Sequence, residues 1–136
     1  MRIVIIDGQG GGMGRALIEG IRANIKEESL ELIAVGTNPL ATVAMLKAGA
    51  TAAATGENAI IYNCSQADVI IGAIGIAFGN SMYGEISPDM AAAVSISEAR
   101  KFLIPNTKCN ATVIGVTDKS MASYIQEVIE KLKSIV

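Results

Sequence analysis

The chain has 136 residues and a net charge of -2, and 51% of its residues are apolar while only 4% are aromatic. This length and composition predict one globular domain, residues 1–136, with an aliphatic core. No basic block or membrane-length apolar run is present, which excludes an electrostatic nucleic-acid interface and a membrane span. Histidine is absent, which excludes His-based acid–base catalysis and argues against a transition-metal site.

The N-terminal residues lead directly into an apolar strand and do not have the pattern of a secretory leader. We therefore expect a cytoplasmic protein. Its two cysteines, Cys64 and Cys109, are far apart in sequence. In a reducing compartment such cysteines are expected to be free thiols.

The first two elements surround a glycine-rich loop. The apolar run 3–6 predicts a parallel strand that is buried on both faces, and residues 8–14 then contain five glycines. A helix is predicted next, because four apolar residues share one helical face: Leu17, Ile18, Ile21 and Ile25. Strand, glycine-rich turn and helix in this order are typical of a phosphate-binding unit. A purely structural turn would need only one or two glycines.

A second strand is predicted at residues 32–35. The next helix is expected to begin with Asn38 as N-cap and Pro39 in the first helical position. Three of its apolar residues are predicted to face the core: Leu40, Val43 and Leu46. A short third strand at residues 51–54 and a helix from Glu57 to about residue 65 follow.

The second half of the chain begins with a fourth strand at residues 69–72 and another glycine-rich region, 72–81. Ser87 and Pro88 predict a helix start, and residues 101–104 predict a fifth strand. Residues 112–116 predict a sixth strand, which would pair antiparallel to the fifth because the connection is too short for a crossover helix. A final amphipathic helix is expected to complete the chain.

Alternating strands and helices predict an α/β fold: a three-layer, doubly wound and mostly parallel sheet of order 3-2-1-4-5, with the antiparallel sixth strand at the edge. In such sheets ligands bind beyond the carboxyl ends of the strands, where the strand order reverses. Both glycine-rich regions follow the strands that flank this point, so the fold and the motif predict the same ligand site.

The glycine spacing G-x-x-x-G-x-G is met by Gly8, Gly12 and Gly14 and resembles the cofactor loop of short-chain dehydrogenases. The likeness ends there, because the sequence has no Tyr-x-x-x-Lys pair. The second strand is followed by Thr37 and Asn38 rather than by an acid that would hold a ribose hydroxyl. This suits an NADP-type ligand, with Arg15 as phosphate partner, or a ligand without an adenosine ribose.

Asp7 places a carboxylate beside the loop, where it could bond loop amides, pair with Arg15 or repel an anion. The loop after strand four adds Ser81, Tyr83 and Glu85, as substrate-side residues or as an oligomer contact. The predicted cofactor site combines three loops: Gly8, Gln9, Gly10, Gly11, Gly12, Met13, Gly14, Arg15, Thr37, Asn38, Gly72, Gly75 and Asn80. No catalytic residue is assigned, and no metal site is expected.

Several segments are distinctive when they are taken together: residues 5–12 with Gly14, 34–38, 45–50, 54–60, 104–105 and 108–110. They resemble an uncharacterised bacterial family of short Rossmann-like proteins, which is classified as a domain of unknown function. The resemblance covers nearly the whole chain. It implies a Rossmann-like fold and a bacterial cytoplasmic setting, but no activity.

The first functional hypothesis is a nucleotide-binding module for a dinucleotide such as NAD(P), with residues 8–14 on the phosphates and Thr37 and Asn38 near the adenosine. The alternative is a non-catalytic sensor or assembly subunit that binds a phosphate-bearing metabolite or no ligand. The expected partner is a small-molecule nucleotide or phosphate ligand, and neither hypothesis involves nucleic acid or a membrane. The apolar segment 74–82 further predicts a homo-oligomer.

Overall fold

The computed structural model describes residues 1–106 and 110–136. Its strands are β1 (Arg2–Asp7), β2 (Glu31–Gly36), β3 (Ala52–Thr55), β4 (Val69–Ala73) and β5 (Arg100–Ile104). Its helices are α1 (Gly12–Asn24), α2 (Pro39–Lys47), α3 (Glu57–Gln66), α4 (Pro88–Ile96) and α5 (Met121–Lys133), with a 3-10 turn at Ile74–Ala77. No helix within the described ranges has the length and apolarity needed to cross a membrane.

The five strands form one sheet of order β3-β2-β1-β4-β5, and every neighbouring pair is parallel. The predicted Rossmann-like fold and strand order are therefore confirmed. β1 is the central strand, and Ile5 lies between Ala34 of β2 and Ile71 of β4. The carboxyl ends of β1 and β4 are adjacent, which places both glycine-rich regions at the carboxyl-terminal end of the sheet.

Alternate side chains of β1 pack into two separate cores, because successive side chains point to opposite faces of a strand. Ile3 and Ile5 belong to the core formed with α1 and α5. Val4 and Ile6 belong to the core formed with α3 and α4. Each of these fully buried side chains stabilises the fold by roughly 1.5–3 kcal/mol. The sheet thus lies between two helical layers, as predicted.

Helix α2 begins as predicted, with the Asn38 side chain accepting a hydrogen bond from the Ala41 N–H. The prediction of its buried face is wrong, because three large residues are exposed by 46% or more: Leu40, Val43 and Leu46. Ala41 and Met45 face the core instead. A Cβ atom at Gly11 would lie 2.8 Å from the Ala41 Cα, so only a small residue of α2 can face the loop. This close approach sets the rotation of the helix.

The predicted sixth strand is also wrong. Residues 112–116 are exposed and contain a turn around Gly115, whose φ is +86°, so β5 is the edge of the sheet. The chain uses this connection to cross to the α1 side, where Ile129 of α5 lies against Gly20 of α1. A segment that crosses the end of the sheet cannot also pair along its edge.

Candidate functional site

A cleft of about 1120 Å³ opens at the carboxyl ends of β1, β4 and β5. The glycine-rich loop, residues 7–13, forms one wall, and residues 78–83, which follow β4, form a second wall. The third wall comes from residues 105–106 and from residues between 110 and 124, which include the start of α5. The cleft therefore lies at the point of strand-order reversal, where sheets of this kind bind ligands.

Three of the loop glycines are required by the fold itself. Gly11 has a φ of +74°, and a Cβ at this position would clash with the backbone of Ala41. A Cβ at Gly14 would lie 3.0 Å from the Asp7 Cβ and would also strike Met45. A Cβ at Gly8 would lie 2.7 Å from the Thr37 Oγ1. These glycines allow α1 and the end of β2 to approach the loop closely.

The other two glycines have no such role. A Cβ at Gly10 or at Gly12 would meet no atom within 4 Å, and both residues are exposed and line the cleft. Gly12 is the first residue of α1, so its N–H has no acceptor within the helix. The positive end of the helix dipole lies at the same place. Nothing in the packing of the described residues requires a bare backbone here.

Asp7 bonds the loop from its inner side. Its carboxylate accepts hydrogen bonds from the Gly8 N–H at 2.8 Å and the Gly14 N–H at 2.7 Å. Burial raises its pKa, and these N–H groups lower it only in part. Arg15 pairs instead with Glu19, at 3.0 Å. Of the three roles open to Asp7, bonding of loop amides is therefore the one observed.

Glu85 bonds the loop from the side of β2. Its Oε1 accepts hydrogen bonds from the Thr37 hydroxyl at 2.8 Å and the Asn38 side-chain amide at 2.7 Å. Its Oε2 lies 3.1 Å from the Gln9 backbone nitrogen, which donates to it. Burial alone would raise the pKa of Glu85, but the hydrogen bonds from Asn38, Thr37 and Gln9 outweigh burial and hold it below the usual value.

The structure brings some of the predicted site residues together at the cleft and beside the glycine-rich loop. Gly8, Gln9, Gly10, Gly11, Gly12, Met13 and Asn80 all line the cleft. Thr37 and Asn38 lie beside the loop, where they are bonded to Glu85.

The remaining predicted residues lie away from the cleft lining. Gly14 is buried beneath the loop, while Arg15 is exposed and paired with Glu19. A Cβ at Gly72 would lie 2.7 Å from the carbonyl oxygen of Ile6, so this glycine serves the contact between β1 and β4. Gly75 is buried in the 3-10 turn.

Sequence reasoning missed the third wall of the cleft. Its polar residues include Asn110, Thr112, Asp118 and Lys119. Tyr124 supports this wall, because its hydroxyl donates to the carbonyl of Thr117 at 3.1 Å. The strand predicted at residues 112–116 had placed Thr112 along the sheet edge. The polar character of the wall residues and their position after a parallel strand were the available signals.

In the described part of the chain, no group of three His, Cys, Asp or Glu residues could hold a metal ion. Cys64 is 2% exposed, and burial raises the pKa of its thiol to about 11. It is therefore a packing residue with little thiolate character. Cys109 lies outside the described residues.

Residues 2–136 match the family described as a domain of unknown function, DUF3842. The chain belongs to this family. The match confirms the predicted resemblance to an uncharacterised domain family and covers nearly the whole domain. A comparison with curated proteins gives no match.

Among solved structures, this chain is similar to a dodecameric FMN-dependent Ubix-like decarboxylase from Escherichia coli O157:H7. The two chains are 14% identical with a TM-score of 0.47, over 98% of this chain and 76% of the other. A similarity of this degree carries neither the ligand nor the assembly of that protein to this one.

Proposed function

We propose that this protein binds a nucleotide through its phosphate groups, with the phosphate over residues 10–12. The observation that carries the proposal is the open space beside Gly10 and Gly12, two cleft residues at which the described part of the chain leaves room for a side chain. Without side chains at these positions, a phosphate oxygen can approach the backbone and the start of α1. The N–H of Gly12 and the positive end of the α1 dipole then favour an anion at this place.

Asp7 contributes to this site by holding the loop in shape. Its carboxylate uses the inner N–H groups of Gly8 and Gly14, and the N–H of Gly12 is left for a ligand on the cleft side. Asp7 borders the cleft, but it is only 8% exposed, and its carboxylate is bonded to N–H groups on the inner side of the loop.

The arrangement around the loop supports a two-part ligand of the NAD(P) type. The cleft extends from the loop toward β4 and β5, and the groups around Glu85 lie on the opposite side, at the end of β2. A dinucleotide whose phosphates lie over the loop can place one nucleoside on each side. The cleft volume of about 1120 Å³ lies slightly above the usual range for ligand pockets, roughly 300–1,000 Å³.

A thermal-shift series with NAD, NADP, ATP, FMN and inorganic phosphate tests the proposal. A nucleotide at 100 times its dissociation constant should stabilise the protein by about 2–3 kcal/mol. The variant Gly12→Val should fold normally, because its Cβ enters open space, but it should lose the ligand-dependent shift. Ala23→Val introduces the same side chain at an exposed position of α1 and serves as the control.

Two outcomes would contradict nucleotide binding. One is the absence of a shift with every nucleotide. The other is an equal shift with inorganic phosphate alone, which would favour the alternative of a sensor for a phosphate-bearing metabolite. If Gly12→Val retained the full shift, the ligand would bind elsewhere on the chain.

A homo-oligomer remains part of the proposal, but with a different surface from the one predicted. Ile76 of the segment 74–82 is fully buried in the core of its own chain. The exposed apolar residues of α2 form the stronger candidate: Leu40, Val43 and Leu46. Light scattering should give a mass above the 14.1 kDa of one chain, and a monomer at micromolar concentration would contradict the proposal.

A further inference from the structure

Strand β2 ends in Gly36 and lacks the acidic residue that holds the adenosine ribose in many dinucleotide-binding domains. The structure supplies a carboxylate at this place from another part of the chain. Glu85 follows β4 in sequence, but its Oε1 lies 2.8 Å from the Thr37 Oγ1 and 2.7 Å from the Asn38 Nδ2. The end of β2 is thus acidic in the folded protein although it is neutral in sequence.

We propose that Glu85 is the ribose-binding carboxylate of this site and selects a nucleotide with free ribose hydroxyls over one with a 2′-phosphate. The inference rests on the proposed nucleotide function and specifies its ligand as NAD-type rather than NADP-type. Glu85 is held by the loop through the Gln9 N–H, at 3.1 Å. A ribose that follows a phosphate over residues 10–12 therefore passes beside this carboxylate.

The hydrogen bonds of Glu85 leave it able to accept more. A carboxylate has about four acceptor positions. Within the described residues, Oε1 receives bonds from Thr37, Asn38 and, at 3.3 Å, the Gln9 N–H, while Oε2 receives only the Gln9 N–H at 3.1 Å. Oε2 therefore retains acceptor capacity, and the partial exposure of the side chain leaves it accessible. Ribose hydroxyls are donors that can use this capacity.

The same carboxylate disfavours a 2′-phosphate. A phosphate would replace a hydrogen-bond donor with a second negative charge next to Glu85, and like charges in contact repel strongly. Arg15 is the cation that the sequence suggested for such a phosphate. Its guanidinium is paired with Glu19 at 3.0 Å.

Calorimetric titration of the natural chain with NAD and with NADP is the first test. NAD should bind at least about tenfold more tightly than NADP, as expected when a charged group loses its hydrogen-bond partners and meets a like charge. Glu85→Gln should weaken NAD by about tenfold and leave NADP equal or tighter, so that the preference disappears. Glu28→Gln removes one charge from an exposed residue in the turn before β2 and should change neither affinity.

Glu85→Asp keeps the charge and is the second test variant, to be used if Glu85→Gln does not fold. It should retain the order of preference at lower affinity for NAD. Equal binding of NAD and NADP by the natural chain would overturn the inference, as would an unchanged preference in Glu85→Gln. If binding is lost in Gly12→Val but the preference does not depend on Glu85, the inference alone fails. If neither dinucleotide binds, the proposed function and the inference fail together.

Discussion

The two sides of the glycine-rich loop differ in what they require of the sequence. On the inner side, Gly11 and Gly14 lie against α2 and Asp7 so closely that a single added methyl group would collide. On the outer side, Gly10 and Gly12 face open space. A count of glycines cannot separate these roles. Only the positions at which the fold tolerates a side chain carry information about a ligand.

The two carboxylates that bond the loop differ in the same way. Asp7 lies beneath the loop, and burial raises its pKa. Glu85 lies at the rim, and the hydrogen bonds that it receives outweigh the opposing effect of burial and lower its pKa. Asp7 therefore stabilises the folded conformation of the loop, whereas Glu85 remains partly accessible to a ligand. Substitutions on the two sides should therefore differ in their effect on stability and on its pH dependence.

The largest effect is expected for Gly11→Ala. The substitution forces an alanine into a left-handed conformation, which costs roughly 1–2 kcal/mol, and pushes its Cβ against the Ala41 backbone, which costs about 1–3 kcal/mol more. Urea denaturation should therefore show a loss of about 2–5 kcal/mol. Gly12→Ala, one residue further, should change stability by less than about 0.5 kcal/mol. Equal losses in the two variants would remove the distinction between inner and outer glycines.

A smaller effect is expected for Asp7→Asn. Its amide nitrogen cannot accept the hydrogen bond from Gly8 or Gly14, and the unsatisfied N–H group costs about 1–3 kcal/mol. Because the folded-state pKa of Asp7 is raised above the usual 3.8, its ionisation lowers the stability of the natural chain as the pH rises through the raised value. The asparagine lacks this ionisation.

Denaturation curves between pH 4 and pH 8 should therefore show the largest deficit of Asp7→Asn at the acidic end, with the deficit narrowing toward neutral pH. A deficit that widens with rising pH would mean that Asp7 is stabilised as an anion. The proposed division between the two carboxylates would then be wrong.

The smallest effect is expected for Glu85→Gln in the absence of ligand. The bonds of this partly exposed carboxylate should contribute less than about 1 kcal/mol. Because the folded-state pKa is below the usual 4.5, the contribution is present above that pH and is lost as the pH falls through the folded value. The deficit of Glu85→Gln should therefore vanish in acid, the reverse of the trend for Asp7→Asn. A carboxyl titration followed by NMR would give both pKa directions directly.

The sheet order was predictable because apolar runs and helix caps recur at regular intervals along the sequence. Asn38 was identified as an N-cap and Ser87 as part of a helix start from the residues next to them, and both side chains accept hydrogen bonds from N–H groups of the helices that follow. The loop was predictable for the same reason, since residues 8–14 follow a strand and precede a helix. Features determined by neighbours in sequence were thus accessible before the structure was known.

Features determined by neighbours in space were not. Leu40 and Val43 look like core residues, but the contact of Ala41 with Gly11 turns them outward. The carboxylate at the end of β2 comes from Glu85, 48 residues after its partner Thr37. No local sequence pattern predicts such a pairing. The neutral end of β2 had therefore indicated a ligand without an adenosine ribose or one with a 2′-phosphate.

The all-parallel sheet has a consequence for the order in which the chain folds. Parallel neighbours cannot form as a hairpin, and Ile5 of β1 pairs beside Ile71 of β4, far along the chain. Contacts of such long sequence separation slow folding, because loop closure must precede the gain from pairing. We therefore expect the pocket at the β1–β4 boundary to form late in refolding, after the β1–α1–β2 segment. In a stopped-flow experiment, ligand binding should recover after most of the helical signal has returned.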